Sequence, residues 1–340
     1  MAAAAAVFTS ALAGAQDSDP AGGREEPVEL RIQSLWQSRS IGEAVFERFA
    51  EKVETASGDR LVITPLPFGA VVAYNETLEA VGSGLLEGQH TASVYFSGRD
   101  AAFGLLGDLN AAYETPYQMT EWMYIGGGLD LARDLYRDYN LYYVGPVLWG
   151  MVSIPMKTKV AGVDELEGLK LRMPEGPASD LFRRLGAVPV NIPGSEVYTS
   201  LERGVIDGTD GGTLAMNQDL GFHKVARYAI YPGFHSMPVA GVAINLDTWN
   251  ALTDDLKAIL ELAVRDLNLD MIQTMAAADM VARKTVVEDG TELVAWPEAE
   301  RRKVREAASE VWQDYARRSE MARRIYDSHM AYLREIGLLD

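Results

Sequence analysis

The sequence predicts a mixed α/β protein built as two lobes, each with its own sheet. Two stretches, 28–94 and 169–212, show the same predicted order of strand, helix, strand, helix and strand. That order is typical of a mostly parallel sheet covered by helices. From Thr253 onwards the pattern is almost entirely helical, and the last quarter of the chain is therefore expected to pack across the two lobes.

The first stretch alternates short apolar strands with amphipathic helices. Apolar residues recur at helical spacing from Val45 to Val53, so one face of this helix is expected to be buried. Trp36 and Tyr95 fall just past predicted strand ends, where they either line a cleft or serve as ordinary rim aromatics. The predicted elements are a strand over 28–33, a helix over 42–56, a strand over 61–63, a helix over 76–81 capped by Asn75, and a strand near 89–94.

Two apolar segments are predicted to carry the chain between the lobes. The segment 141–148 (LYYVGPVL) is a strand interrupted at Gly145 and Pro146, which favours a sheet edge or a bend. The segment 238–246 (PVAGVAINL) is a strand that returns to the first lobe. Crossings near 146–149 and 238–242 would let the two lobes open and close around a ligand.

The stretch 169–212 places one arginine where ligands bind in open α/β sheets. Apolar and basic residues alternate from Leu169 to Met173, and Pro174 ends this strand, so Arg172 lies at its carboxyl end. A guanidinium group matches a carboxylate with two parallel hydrogen bonds, although the spacing alone favours a solvated arginine at a strand end. The following elements are a helix over 178–185, a strand over 188–192, a helix from Ser195 to Gly204, a strand over 205–207 and a glycine-rich loop over 208–212.

The C-terminal quarter is predicted to contain three helices. One apolar stripe runs from Leu256 to Leu267, a second helix covers 269–287, and a long last helix covers 298–336. Val304, Ala308, Val311 and Tyr315 lie on one side of the last helix. That side either braces both lobes or pairs with a second copy of the chain.

Composition and charge exclude several classes of function. The chain has 340 residues, 48% of them hydrophobic, which is enough for two domains. It has no cysteine, and this excludes a disulfide framework, a thiolate zinc site and a cysteine nucleophile. The formal net charge of −18 argues against nucleic-acid binding and against adhesion to an anionic membrane. An anionic ligand would have to be attracted by a local arginine.

The first residues are typical of a processed export signal. Residues 1–15 (MAAAAAVFTSALAGA) are small and apolar and end in an A-x-A pattern before Gln16. Because they lack a basic start, we interpret them as a signal-peptide remnant, and a disordered alanine-rich terminus is the alternative. Residues 16–27 are a polar, flexible lead-in, and no later stretch is long and apolar enough to span a membrane. We therefore expect an exported, periplasmic protein.

Three runs of the sequence, GLKLRMP, LGAVPVNIPGSEVYTSLERGVIDG and GFHKVARY, closely resemble the solute-binding proteins of TRAP (tripartite ATP-independent periplasmic) transporters, the DctP family. The resemblance covers roughly residue 28 to the end. In this family the arginine of the L-K-x-R-x-P run binds the carboxylate of an organic acid, and Arg172 occupies that position. The resemblance implies a two-lobed clamshell with a long C-terminal helix, a carboxylate ligand, and TRAP membrane subunits that receive it.

The resemblance also implies the remaining site residues. In a branch that binds 2-oxo and 2-hydroxy acids, an acidic residue at the position of Asp210 helps to hold a cation. That branch has a tryptophan where Gly211 stands and a glutamate where Ser236 stands, so we expect no metal here. The expected ligand-binding residues are Arg172, Asp210, Trp149, Phe234, Tyr95, Trp36 and Gly211.

Domain boundaries and the class of activity follow from these inferences. Lobe I is expected to comprise 28–147 and 239–285, and lobe II to comprise 148–238 and 286–340 with the C-terminal helices. In one branch of the family the proteins dimerise through C-terminal helices, which implies a homodimer as one alternative. The other class of function is a secreted α/β hydrolase-like enzyme acting on a small organic acid. No G-x-S-x-G motif occurs, so we expect a binding protein without catalytic residues or cofactors.

Overall fold

The computed structural model describes residues 26–339, so the proposed signal-peptide remnant and most of the lead-in lie outside the described residues. Eleven strands are assigned within that range. They are β1 Val28–Ser34, β2 Leu61–Leu66, β3 Gly88–Ala92, β4 Leu141–Leu148, β5 Ile154–Met156, β6 Lys170–Arg172, β7 Val188–Val190, β8 Gly208–Thr209, β9 Tyr228–Ile230, β10 Val239–Asn245 and β11 Glu292–Val294.

Thirteen α-helices surround these strands in the described part of the chain. They are α1 Ile41–Ser57, α2 Thr77–Gly82, α3 Ala101–Gly107, α4 Pro116–Tyr124, α5 Gly128–Arg137, α6 Pro177–Arg184, α7 Val197–Glu202, α8 Leu214–Asp219, α9 Phe222–Val225, α10 Leu246–Ala251, α11 Asp254–Glu288, α12 Glu298–Ala316 and α13 Glu320–Glu335.

The strands form two separate sheets, which confirms the predicted α/β fold with one sheet in each lobe. The first sheet has the order β2-β1-β3-β10-β4, and the second has the order β11-β9-β5-β8-β6-β7. Strands β1, β2 and β3 are mutually parallel, as are β6, β7 and β8. Strand β10 is antiparallel to its neighbours in the first sheet, and β5 is antiparallel to its neighbours in the second.

The chain passes between the sheets three times, through two adjacent segments and later through α11, which leads to β11. It leaves the first sheet after β4 and returns to it at β10, and the amide of Val152 donates to the carbonyl of Ser236 across the two crossings at 3.0 Å. Strand β4 lies at the sheet edge, as Pro146 predicted, but it is continuous rather than interrupted. A proline is tolerated there because an edge strand has a ladder on only one side.

The long helix that braces the lobes is α11. It is one continuous helix of 35 residues, so the prediction of two helices in this region was wrong. No glycine or proline interrupts 254–288, and nothing therefore ends the helix between the two apolar stripes. Leu260 and Val264 pack in the core of the first lobe, whereas Ala282 and Val286 pack against Ala229 of the second sheet.

The last part of the chain is two helices instead of the single helix predicted over 298–336. Ser319 separates them because its side chain accepts a hydrogen bond from the amide of Ala322 and so caps α13. Helix α12 packs against α3 and α6, and α13 packs against α3 and α5. The predicted apolar side of the last helix (Val304, Ala308, Val311 and Tyr315) is buried within the chain. It serves as a brace and is not available to a second copy.

Three local predictions in the lobes were wrong. Helix α2 begins after Glu76, and Asn75 does not cap it. Ser195 lies in a short 3₁₀ turn instead of capping α7. The strand expected over 205–207 is displaced to β8, because the amide of Val205 bonds back to the carbonyl of Ser200 and closes the preceding helix.

Candidate ligand-binding site

A cavity of about 180 Å³ lies between the two lobes. On the side of the first sheet it is lined by residues that follow β1, β2, β3 and β4, and on the side of the second sheet by residues at or beyond the ends of β6, β7 and β8. The carboxyl ends of parallel strands therefore meet across the cavity, which is where open α/β sheets bind ligands.

Arg172 is held at the wall of this cavity by the backbone of the second lobe. Its Nη1 donates to the carbonyl of Asp210 at 2.8 Å, and its Nε donates to the carbonyl of Ile192 at 3.3 Å. Among residues 26–339, no group accepts a hydrogen bond from Nη2. The side chain is half-buried, so its guanidinium group is oriented in advance and keeps donors free for an anion.

Aromatic side chains that follow strands of the first sheet form much of the opposite wall. Trp36 and Trp149 meet edge to face with ring centroids 5.4 Å apart, and Tyr74 and Tyr95 do the same at 4.6 Å. Phe68 stacks on Tyr74 at 5.7 Å. Burial raises the pKa of Tyr95, so its hydroxyl remains protonated at neutral pH. The wall is predominantly apolar, with tyrosine hydroxyls as its polar points.

The structure brings together five of the seven predicted site residues. Lining the cavity are Arg172, Trp36, Tyr95, Trp149 and Gly211. A side chain larger than glycine does not fit at position 211, because a Cβ there would lie 2.3 Å from Oδ1 of Asn217.

Phe234 does not line the inter-lobe cavity, and its prediction was wrong. Its ring packs against Trp296 with centroids 5.2 Å apart. It borders a different cavity behind the crossings, together with Met151 and arginines of α12. The aromatic residue that the second lobe contributes to the ligand cavity is instead Phe222.

Asp210 lies beneath the site and contributes its backbone instead of its carboxylate. Its carbonyl orients Arg172, whereas its carboxylate is buried with Oδ2 3.4 Å from Nε2 of His235. Ser236, next to this histidine, hydrogen-bonds the carboxylate of Asp108. The part of the chain that the structure describes contains no group of three or more acidic or histidine side chains able to hold a metal ion. A calcium ion with six to eight oxygen ligands does not fit these residues.

Several residues that line the cavity were not predicted from the sequence. Phe68 and Tyr74 follow β2, which runs to Leu66 instead of ending at 63, so neither had been placed near a strand end. The short helices after β8 also contribute apolar residues, among them Met216 and Leu220. Further apolar residues that line the cavity are Leu35, Ile41 and Val197. An aromatic cluster in a proline- and glycine-rich loop was the available signal for Phe68 and Tyr74.

Comparisons with known proteins agree with this architecture. The family model described as bacterial extracellular solute-binding protein, family 7 (DctP), matches residues 33–319. A TRAP periplasmic solute-binding protein of Rhodobacter sphaeroides, in an apo open structure, is 36% identical with a TM-score of 0.77, covering 92% of this chain and 99% of that one. Across residues 26–339, no helix is both long and apolar enough to cross a membrane.

Two further relatives have named ligands. The monocarboxylate 2-oxoacid-binding periplasmic protein all3028 of Nostoc sp. is 27% identical over 91% of this chain and 85% of its own. A TRAP periplasmic solute-binding protein of Pseudoalteromonas atlantica, with bound sodium and pyruvate, is 25% identical with a TM-score of 0.82, covering 91% and 95% of the two chains. The family match leaves the enzyme alternative without support. The chain belongs to the DctP family, the extracytoplasmic solute-binding proteins of TRAP transporters.

Proposed function

We propose that this protein captures a small carboxylate in the cavity between its lobes and delivers it to TRAP membrane subunits. The observation that carries the proposal is the guanidinium group of Arg172, oriented by two backbone carbonyls and with donors still free. The named ligands of the Nostoc and Pseudoalteromonas relatives are likewise carboxylates.

The ligand would connect the two lobes. Arg172 belongs to the second sheet, whereas Trp36, Tyr95 and Trp149 follow strands of the first. A carboxylate bound to Arg172 therefore places the rest of the ligand against the first lobe. Such a ligand stabilises the closed form by its differential affinity for closed over open.

We propose lobe boundaries that follow the two sheets. Lobe I comprises 28–147 and 239–285, and lobe II comprises 148–238 and 286–340 with the C-terminal helices, of which α12 and α13 also pack on α3 of lobe I. In support, strands of the first sheet fall in the former ranges apart from the last residue of β4, and strands of the second sheet fall in the latter. X-ray scattering should then report a smaller radius of gyration when ligand is added.

A thermal-shift screen of refolded, ligand-free protein against organic acids tests the proposed function. A ligand at one hundred times its dissociation constant adds about 2.7 kcal/mol of stability. We expect at least one carboxylate to raise the melting temperature. The rise should be the same with added calcium as with a chelator, because the carboxylate of Asp210 contacts His235 and is not available to bind a cation beside the ligand. Stabilisation by sugars or amines, with none by carboxylates, would contradict the proposal.

We also propose that α11 pairs with a second copy of the chain. Leu262 and Met280 are 67% and 72% exposed, and with Leu269 and Val287 they recur at spacings of seven, eleven and seven residues. These spacings place the four side chains on one face of the helix. Light scattering should give twice the chain mass for the wild type and for an Ile125→Glu control, and one chain mass for Leu262→Glu with Met280→Glu. A monomeric wild type would refute the pairing.

A further inference from the structure

We infer that the preferred ligand is a monocarboxylate with a single aromatic ring, about the size of benzoate. The inference rests on the proposed function, because it names the class of acid that the same cavity would take. Its basis is the charge, the wall chemistry and the volume of the cavity.

The charges allow one carboxylate. Of the described side chains that line the cavity, Arg172 is the single cationic one, and the lining also includes the acidic Asp219. Desolvation raises the pKa of Asp219. A second carboxylate on the ligand would therefore face apolar side chains, uncharged polar ones such as Gln37 and Ser40, and Asp219, with no cationic partner among the described lining residues. Burying a charge without a counterion is strongly unfavourable.

The side chains that line the cavity favour an aromatic ring in the part of the ligand that does not contact Arg172. Five aromatic residues that follow strands of the first sheet line the cavity: Trp36, Phe68, Tyr74, Tyr95 and Trp149. Phe222 and Met216 add apolar surface from the second lobe. Aromatic rings pack on one another in offset or edge-to-face arrangements that contribute beyond the area they bury. Thioethers also make favourable contacts with ring edges.

The volume of the cavity in this structure accommodates a ligand about the size of benzoate. An apolar cavity of about 150 Å³ in another protein holds one benzene molecule. The inter-lobe cavity is about 180 Å³, which leaves room for one ring and the carboxylate that reaches Arg172. A three-carbon acid such as pyruvate would leave most of the aromatic wall without contacts, and the buried carboxylate of Asp210 offers it no bridging cation.

Calorimetric titration at fixed pH and salt tests the inference with benzoate, phthalate, benzamide, pyruvate and succinate. Benzoate should bind at least about tenfold more tightly than pyruvate, because its ring buries additional apolar surface. Benzamide has the same ring without the charge, and phthalate adds a second carboxylate, so both should bind at least about tenfold more weakly than benzoate.

Matched variants separate ring recognition from carboxylate recognition. Tyr74→Ala should weaken benzoate about tenfold and weaken pyruvate less, because Tyr74 belongs to the aromatic wall of the cavity and a three-carbon acid contacts little of that wall. Tyr117→Ala, an exposed tyrosine outside the cavity, should change neither. The melting temperature of each unliganded variant checks that it folds.

Tighter binding of pyruvate or succinate than of benzoate would overturn the inference. If such binding were also lost in Arg172→Ala, the proposed carboxylate function would stand while the aromatic preference failed. If none of the acids bound, the inference about an aromatic acid would fail, and the thermal-shift screen against the wider set of ligands would decide the proposed function. Equal loss of benzoate and pyruvate in a folded Tyr74→Ala variant would likewise contradict ring recognition by this wall.

Discussion

Replacing Arg172 by alanine should abolish most of the affinity for a carboxylate while leaving the fold intact. The guanidinium group donates to the carbonyls of Asp210 and Ile192, and its Nη2 has no acceptor among the described residues. Truncating one partner of a desolvated charge pair costs about 2–5 kcal/mol, or roughly 30- to 4,000-fold in affinity. Because Arg172 is half-buried, we expect the lower part of that range, about 100-fold.

Isothermal titration of wild type and variant with the same acid measures this loss directly. Arg172→Lys should recover part of the affinity, because an ammonium group keeps the charge but not the planar pair of donors. Arg183→Ala is the matched control, since Arg183 is exposed on α6 in the same lobe and pairs with Asp180. An Arg172→Ala protein that folds and binds the acid as tightly as the wild type would refute the carboxylate-clamp argument.

Three further predictions concern the cavity wall, pH and stability. Gly42→Ala should weaken ligand binding at least about tenfold in calorimetry, because a Cβ there would lie 2.2 Å from the Trp36 ring and displace it; unchanged affinity would contradict this. Burial raises the pKa of Asp108 to about 7, whereas the same carboxyl in the unfolded chain has a pKa of about 4. Between these two pH values the folded protein keeps a proton that the unfolded chain has released. The free energy of unfolding should therefore fall as the pH rises from about 4 to about 7. Asp108→Asn should flatten this dependence of melting temperature on pH, and a profile as steep as wild type would count against it. Asn268→Ala should cost about 1–3 kcal/mol in urea unfolding, because Oδ1 of Asn268 accepts from the buried amide of Leu148 at 2.8 Å; a loss below about 0.5 kcal/mol would contradict it.

Local patterns were sufficient for the position of Arg172 and for the two-sheet fold. The alternation from Leu169 to Met173 and the proline after it are short-range signals, and they place the arginine at a strand end without knowledge of the rest of the chain. Strands of three residues without a clear alternation, such as β5 and β11, carry too little pattern to be predicted.

The predictions for Phe234 and Asp210 failed because contacts with residues far away in the sequence determine where these two side chains lie. Phe234 and Phe222 are both aromatic residues of the second lobe. The sequence alone does not show that Phe234 packs on Trp296, outside the cavity, whereas Phe222 lines it. The carboxylate of Asp210 is directed to His235 by contacts that exist only after the crossings have packed together. Tertiary packing, and not local propensity, therefore selected the members of the site.

The measurement that tests the central claim most directly is a crystal structure of the protein with its tightest-binding organic acid. We predict a closed form with the carboxylate between the lobes, its oxygens about 2.7–2.9 Å from the guanidinium nitrogens of Arg172. The remainder of the ligand should contact the aromatic wall that includes Trp36 and Tyr95. A ligand bound outside this cavity, or bound within it with its carboxylate away from Arg172, would contradict the account.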